Sequence, residues 1–254
     1  MYSECVFTLV VIIAVVITTL YRKKYNKTSK LNIPAFFINL DRRTNRLKHC
    51  LSQLTPHFHV LDRYSAIEGR YVDTLRESRL TLFYDLAENK KWDASIRFRH
   101  TRRMTHGEIG CCLSHRNIWE LAYGRELPIV AIFEDDVIVG NMFKSRVRSA
   151  LENCPRDWDI LYLGYIASNG SLGDWVPGGQ LRRVNLVFGA YAYIVRRKGL
   201  QKLIAALPID RPIDNFVGKL TENGTLNGYA VVPPIADQIE YGGYGSDIVH
   251  SAHL

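Results

Sequence analysis

The pattern of hydrophobic positions changes along the chain from runs typical of strands to spacings typical of helices. Residues 34–40 form a compact apolar run that predicts a strand, and residues 41–54 carry leucines at helical spacing. Residues 58–61 predict a second short strand, followed by a loop over 63–69 that ends at a glycine turn. From 71 to 103 the pattern weakens, and we expect a variable excursion there. A strand that leads into a helix is typical of the opening of an α/β layer fold.

The strongest strand signal is the continuous apolar run at 128–133, which leads directly into the acidic triplet Glu134-Asp135-Asp136. A helix with a glycine-rich start is predicted before it, over 105–123. Further strands are predicted at 158–163 and 190–195, and a helix is predicted at 198–207. We therefore expect a single α/β domain. Its acidic triplet follows the carboxyl end of a central strand, where α/β sheets bind ligands.

The amino-terminal part of the chain combines an apolar run with a basic cluster. The uncharged run over 6–21 is slightly shorter than the ~20 residues that comfortably span a bilayer. A cleaved signal peptide normally has its bases before the apolar run, whereas here they follow it. We predict a membrane anchor over 1–21, a basic stalk over 22–32 and one folded domain over 33–254. The alternatives for the apolar run are a cleaved signal peptide and a buried element.

Two features favour opposite sides of a membrane for the domain. The basic cluster behind the apolar run favours the cytosol, by the positive-inside tendency. The sequons Asn169-Gly-Ser and Asn223-Gly-Thr can be glycosylated only in a secretory lumen. We expect a single-pass membrane protein whose domain faces the lumen of the endoplasmic reticulum or Golgi, with a cytosolic domain as the alternative.

Composition and charge narrow the class of protein only slightly. With 254 residues, 47% of them hydrophobic and 23% charged, the chain is expected to form a globular core. The net charge of +8 attracts anions such as nucleotide phosphates or acidic lipid headgroups. Because the bases are scattered and form no recognised module, we expect no nucleic-acid partner.

The five cysteines show no CxxC pair or Cys/His metal spacing, which disfavours zinc. Buried thiols are expected, with one disulfide as the alternative.

The acidic triplet is the strongest candidate for a functional site. Three adjacent carboxylates repel one another unless a cation or basic residues lie among them. Mn²⁺ and Mg²⁺ prefer carboxylate oxygens and can neutralise the charge of a departing diphosphate. The alternative is a solvated, inert acidic loop. A nucleotidyltransferase or phosphatase would use similar carboxylates, but no phosphate-loop motif occurs in the sequence.

Five short motifs follow one another along the chain: Phe37-Ile-Asn-Leu-Asp-Arg-Arg43 with Arg46, Ser65-Ala-Ile-Glu-Gly69, Gly107-Glu-Ile-Gly-Cys-Cys-Leu-Ser-His115, Phe133-Glu-Asp-Asp-Val137 and Trp158-Asp-Ile-Leu-Tyr-Leu163. This series resembles glycosyltransferase family 25, which includes lipopolysaccharide-type bacterial enzymes and procollagen galactosyltransferases. The resemblance covers roughly residues 34–250. It implies a GT-A-like fold, that is, a Rossmann-like nucleotide-sugar-binding sheet with flanking helices. It also implies a nucleotide-sugar donor, with UDP-galactose favoured, and inversion at the anomeric carbon.

The resemblance also implies roles for individual residues. The residues expected at the donor are Asn39, Arg42, Arg43, Arg46, Glu108, His115, Glu134 and Asp135. Glu134 and Asp136 would hold the metal ion, and Asp136 is also assigned to catalysis. Asp214, which we expect on a loop fixed by flanking prolines, is the candidate base for the acceptor hydroxyl. Three residues are expected on the acceptor side: Gln238, Ser246 and Asp247.

Several of these residues have a simpler structural alternative. Glu108 could cap a helix, His115 could be a satisfied histidine in an apolar helix, and the arginines could form a solvated helix start. The expected function is a metal-dependent glycosyltransferase that moves a hexose, galactose first, to a hydroxyl of a glycan, lipid-linked sugar or protein. The alternative is a catalytically inactive membrane adaptor or carbohydrate-binding protein. Retention of three mutually repelling acids argues against that alternative.

Overall fold

The computed structural model describes residues 29–81, 83–85, 101–167 and 169–239. Three groups of predicted features lie outside these residues: the anchor over 1–21, most of the stalk over 22–32, and the acceptor-side residues Ser246 and Asp247. Within the described ranges, no helix combines the length and apolar character needed to cross a membrane.

Strands and helices alternate along the described chain, as the sequence predicts. The strands are β1 (Ala35–Asn39), β2 (Leu61–Ser65), β3 (Phe83–Asp85), β4 (Thr101–Arg103), β5 (Ile129–Glu134), β6 (Val137–Val139), β7 (Ile160–Ile166), β8 (Leu172–Trp175), β9 (Leu181–Val184), β10 (Phe188–Arg196), β11 (Gly228–Val231) and β12 (Ala236–Gln238). The helices are α1 (Thr44–Leu54), α2 (His106–Gly124), α3 (Phe143–Asn153), α4 (Arg197–Ala205) and α5 (Ile213–Glu222).

The central sheet is mixed and has the strand order β2-β1-β5-β10-β7-β11-β9-β8. Strands β2, β1 and β5 are parallel, so their carboxyl ends meet at one edge of the sheet. Strand β10 runs antiparallel to β5 and β7. A separate antiparallel pair, β6 with β12, lies beside the end of β5. The predicted α/β class is confirmed, and the sheet is consistent with a Rossmann-like fold.

Hydrophobic side chains bury both faces of the sheet. Because successive strand residues point to opposite faces, Phe36 and Phe37 of β1 belong to different core clusters. Helices α2, α4 and α5 cover one face, where Trp119 is fully buried. Helices α1 and α3 cover the other face, where Leu54 and Val147 are fully buried. Continuous apolar strands such as β5 are expected where a sheet is covered on both sides.

Two glycines allow the loop after β2 to lie directly on helix α2. A Cβ atom at Gly69 would be 1.9 Å from the carbonyl oxygen of His106, and one at Gly110 would be 2.3 Å from that of Ile67. The Ile67 backbone N–H also donates to Ser114 Oγ at 2.9 Å. The motifs at 65–69 and 107–115 are therefore in direct contact. The two glycines allow this close approach because they carry no side chain.

The strand predicted at 58–61 is shifted in the structure to Leu61–Ser65. Phe58 is buried in the core, and its backbone makes only an isolated bridge with Leu31 and no continuous ladder. The first residues of the loop predicted at 63–69 consequently belong to β2. The cysteines within the described chain are free thiols, either buried or half-buried, so the expected buried thiols are confirmed there.

Candidate functional site

The acidic triplet lies where the parallel strands β1 and β5 end. Glu134 is the last residue of β5, Asp135 and Asp136 form a tight turn, and β6 begins at Val137. Strand β1 ends beside this turn at Asn39, because β1 and β5 are paired in parallel. The three successive carboxylates consequently face three different environments.

Asp135 is the anchored member of the triplet. Its side chain is buried and accepts hydrogen bonds from Asn39 Nδ2 at 2.7 Å and from Arg46 Nη1 at 2.8 Å. Arg63 orients the amide by donating from Nε to Asn39 Oδ1 at 2.9 Å. Burial raises the pKa of Asp135, while the Asn39 hydrogen bond and the Arg46 charge oppose that increase. Asn39 and Arg46, which were predicted at the donor, therefore hold the turn against β1 and α1.

Asp136 is half-buried and poorly neutralised. Its Oδ1 atom is buried and has no hydrogen-bond partner among the described residues. Its Oδ2 atom lies 3.5 Å from Arg46 Nη1. Burial and then the charge of Glu134 raise the pKa of Asp136 to about 7, although Arg46 acts in the opposite direction. A buried carboxylate oxygen without a partner is costly, so this atom fits a bound cation or a substrate donor.

Glu134 faces helix α2 on the other side of the turn. Its Oε1 atom lies 3.3 Å from Nε2 of the fully buried His115 and 3.8 Å from Cys111 Sγ. The second ring nitrogen of His115 is 3.0 Å from the Tyr193 hydroxyl, which also accepts a hydrogen bond from Trp119 Nε1 at 2.8 Å. This chain of polar contacts fixes the histidine ring and, through it, one oxygen of Glu134.

Cys111, His115 and Glu134 also form a group with the geometry of a metal site. One ligand atom from each residue lies within 4.8 Å of the others. The expectation that no Cys/His pair has metal-ligand spacing is therefore wrong, because residues four apart share one helix face. Burial and the Glu134 charge raise the pKa of the Cys111 thiol well above its usual value, so the group is a neutral thiol at physiological pH. Mn²⁺ and Mg²⁺ prefer charged oxygen donors, so a neutral thiol is a poor ligand for either ion.

Asp214 belongs to the same electrostatic cluster although it is distant in sequence. Burial raises its pKa, and the charges of Glu134 and Glu108 raise it further. Its carboxylate accepts hydrogen bonds from the backbone N–H groups of Asn215, at 2.8 Å, and Gly189. The loop predicted around it is wrong, because Asp214 lies in the first turn of α5 with Pro212 at the N-cap. Proline is tolerated at a helix start, where its missing N–H would form no intrahelical bond.

Three other residues predicted at the donor lie at helix starts or in surface ion pairs. Arg42 donates from Nε to Glu68 at 2.5 Å, and Arg43 occupies the N-cap position of α1. Glu108 forms a capping box at the start of α2: its carboxylate accepts from the Thr105 N–H at 2.8 Å, and its own N–H donates to Thr105 Oγ1 at 3.2 Å. The capping role considered for Glu108 is thus present in the structure.

Gln238, the acceptor-side residue within the described chain, lies beside the acidic turn. Strand β12 places it opposite Val137, the first residue after the triplet. The next residue, Ile239, donates its N–H to the carbonyl oxygen of Asp136 at 3.0 Å. The segment that carries Gln238 is therefore fixed to the same turn as the predicted metal ligands.

Sequence reasoning missed Tyr191, whose ring lies in a space left by two glycines. A Cβ atom at Gly164 would be 2.2 Å from the ring, and one at Gly189 would be 2.7 Å from it. Gly189 has φ +85° and lies in β10, where the register with β7 is irregular. Burial raises the pKa of Tyr191, and nearby acids that include Asp136 and Glu134 raise it further. The available signal was the pair of glycines directly next to the predicted strands 158–163 and 190–195, since a glycine at such a place often marks a close approach.

Comparison with known proteins identifies the family. The family model described as glycosyltransferase family 25 (LPS biosynthesis protein) matches residues 32–169. A glycosyltransferase 25 family member of Anopheles gambiae is 28% identical over 74% of this chain and 31% of its own length. Procollagen galactosyltransferase 1-A of Xenopus laevis is 30% identical over 77% of this chain and 32% of its own length. The human protein named inactive glycosyltransferase 25 family member 3 is 33% identical over 72% of this chain and 30% of its own length.

The chain spans about a third of the length of these curated relatives. The family match begins just before β1 and ends after β7. It therefore includes the acidic turn, its anchors on β1 and α1, and the histidine on α2. Because this match covers more than half of the sequence, the chain belongs to glycosyltransferase family 25.

Proposed function

We propose that this chain is a metal-dependent glycosyltransferase that transfers a hexose, with galactose as the first candidate, from a nucleotide-sugar donor to a hydroxyl acceptor. Family membership supports the reaction class, and the relative named procollagen galactosyltransferase supports galactose. The acceptor would be a glycan, a lipid-linked sugar or a protein side chain. The mixed sheet with helices on both faces is compatible with the GT-A-like arrangement that the family resemblance implies.

The observation that carries this proposal is the buried, unpartnered Oδ1 atom of Asp136 close to the charge of Glu134. A carboxyl group whose pKa is raised by burial and by a neighbouring carboxylate at the end of a central strand is well suited to a divalent cation. Glu134 and Asp136 would hold Mn²⁺ or Mg²⁺. When bound, this ion would neutralise the charge that develops on the departing diphosphate of UDP-galactose or a similar donor.

The remaining residues would orient the reactants. Asp135 would keep the turn in place through its hydrogen bonds to Asn39 and Arg46. Asp214 would accept the proton of the acceptor hydroxyl, and a raised pKa makes its carboxylate a stronger base. A single displacement assisted by one base inverts the anomeric carbon, which is the stereochemistry that we propose.

A catalytically inactive carbohydrate-binding protein or adaptor is the second candidate. The human relative named inactive is 33% identical to this chain, a similarity comparable to that of the galactosyltransferase from Xenopus laevis. An inactive protein could retain donor or acceptor binding without turnover. The two candidates therefore differ in one measurable property, the release of free sugar or transferred product.

The membrane association of this activity is part of the proposal. The segment 1–21, with its apolar run over 6–21, would anchor the chain, and the domain would face a secretory lumen. The sequon residues Asn169 and Asn223 are both exposed, as glycosylation requires. Expression in a eukaryotic cell, followed by glycosidase treatment of wild type and of Asn→Gln variants at both sequons, should reveal two glycans. An unglycosylated wild-type protein would contradict a lumenal domain.

Donor turnover by the full chain in detergent tests the enzymatic proposal directly. We expect hydrolysis or transfer of one sugar from a panel of UDP-sugars in Mn²⁺, and loss of turnover in chelator. Asp136→Asn should abolish the metal-dependent rate, whereas Asp174→Asn, an exposed control on β8, should not. Binding of a UDP-sugar without turnover in any metal would favour the inactive protein. Full activity of Asp136→Asn would remove the central argument.

A further inference from the structure

A cleft of about 560 Å³ opens between the segment after β6 and the segment that contains β12. Its lining includes the apolar side chains of Ile138 and Met142, which are 40% and 65% exposed. Two tyrosines, Tyr165 and Tyr191, also contribute to its walls. The volume lies within the range of about 300–1,000 Å³ that is usual for small-molecule sites.

The cleft lies next to the acidic turn, because its lining residue Ile138 is two positions from Asp136 in the chain. Strand β6 begins directly after Asp136, and the chain leaving β12 donates a hydrogen bond to the Asp136 carbonyl oxygen through Ile239. Tyr191 links the two regions. Its side chain lines the cleft, and the charges of Asp237, Asp136 and Glu134 contribute to the raised pKa of its hydroxyl. A molecule in the cleft would therefore lie near the turn that carries the carboxylates assigned to the reaction.

The polar side chains of the cleft carry opposite charges and are held in place. Arg146 donates from Nη2 to the Pro233 carbonyl oxygen at 2.8 Å. Asp237 accepts the Gln238 N–H at 2.8 Å through Oδ1. One cation and one anion give no net preference for a charged ligand. Hydroxyl groups both donate and accept hydrogen bonds, so a neutral polyhydroxyl molecule can use both charges.

We propose that this cleft is the acceptor subsite and that it binds a hexose unit of a carbohydrate acceptor between Arg146 and Asp237. The inference rests on the proposed transferase function and adds to it the chemical class of the acceptor. The apolar C–H groups of the sugar would pack on Ile138, Met142 and the tyrosine walls. Its hydroxyl groups would hydrogen-bond to Arg146 and Asp237, which makes these two residues determinants of acceptor specificity.

Ligand-observed saturation-transfer NMR on the full chain in detergent with Mg²⁺ tests this site without requiring turnover. The probes are methyl β-D-galactopyranoside, methyl β-D-glucopyranoside, free hydroxylysine and UDP. We expect at least one methyl hexoside to bind and Asp237→Asn to raise its Kd about tenfold, the effect of losing one hydrogen bond to a charged group. The exposed control Asp174→Asn should leave that Kd within twofold of wild type.

Blocking the cleft gives a second, independent measurement. Met142→Cys labelled with a bulky maleimide should lose hexoside binding, while the Kd for UDP should stay within twofold. Wild type treated with the same reagent is the control, because the described native cysteines are buried or half-buried.

Three results would overturn the proposal: hexoside binding that survives the label, binding of hydroxylysine without either hexoside, or a parallel loss of UDP affinity in both variants. Failure of UDP to bind the wild-type chain would contradict the proposed function instead, and it would do so whatever the hexoside data show.

Discussion

Replacing Asp136 by asparagine tests whether the acidic turn destabilises the fold when no cation is bound. The Asp136 side chain is half-buried, and its buried Oδ1 atom lacks a hydrogen-bond partner among the described residues. The substitution keeps the shape of the side chain and removes its charge. We expect the metal-free variant to be more stable than the metal-free wild type at pH 8, although it should be inactive.

The size of this effect follows from the pKa of Asp136. The value rises from about 3.8 in the unfolded chain to about 7 in the folded protein. Between these values the folded state binds more protons, so stability falls as the pH rises from about 4 to about 7. A difference of about three units corresponds to at most about 4 kcal/mol above pH 7. Because the neutral asparagine also leaves a buried polar atom without a partner, which offsets part of this gain, we expect a gain of about 2 kcal/mol.

Chemical denaturation in EDTA at pH 8 and pH 5 provides the measurement. The gain in unfolding free energy should fall by more than half at pH 5, where Asp136 is already protonated in the folded wild type. Asp174→Asn, with an exposed carboxyl, should match wild type at both pH values. Added Mn²⁺ should stabilise wild type by mass action and should not stabilise Asp136→Asn.

The result that would refute this reasoning is equally specific. A variant that is less stable than wild type at pH 8 would mean that the charged carboxylate of Asp136 is well satisfied without a cation. An equal gain at both pH values would mean that the substitution acts through packing and not through charge. Either result would remove the electrostatic argument for a metal ion at this turn.

Three further substitutions separate chemistry from folding. Asp214→Asn should lower kcat about 10²–10⁴-fold in steady-state kinetics with little change in UDP affinity, and a normal kcat would exclude it as the base. Asn39→Ala should cost about 1–3 kcal/mol of unfolding free energy by denaturation, since it removes a donor from a buried carboxylate; no loss would contradict its anchoring role. Gly110→Ala should cost about 1–3 kcal/mol because the new Cβ would be 2.3 Å from the Ile67 carbonyl oxygen. Gly124→Ala is the matched control in the same helix, where the added Cβ meets no described atom within 4 Å.

The sequence predicted the central elements well because their burial is continuous. The apolar run at 128–133 became β5 at Ile129–Glu134, shifted by one residue, since both faces of this strand are covered. The run at 34–40 likewise contains β1. Short elements were missed because long-range pairing creates them: β6 and β12 have only three residues each and pair with one another across nearly 100 positions.

The prediction for Asp214 failed for a different reason. Prolines on its amino-terminal side were interpreted as signals for a loop, yet Pro212 starts helix α5. The same residue type disfavours a helix interior and suits a helix start, so the spacing of Pro212 from the apolar positions after it was the better signal. The electrostatic coupling of Asp214 to Glu134 could not be obtained from sequence pattern, because it depends on how α5 packs against β10.

The acidic triplet was identified from sequence, but the different roles of its three carboxylates depend on the geometry at the end of a strand. Side chains alternate between the two faces there, so Glu134 turns toward His115 on α2 and Asp135 toward Arg46 on α1. Loss of the Asp135 carboxylate would remove a partner from the buried Asn39 and from the half-buried Arg46, and it should weaken the fold. Loss of the Asp136 carboxylate should weaken only the chemistry. An acidic residue at the position of Asp135 is therefore expected in folded members of the family, active or inactive, whereas Glu134 and Asp136 are the positions at which activity and inactivity should be distinguished.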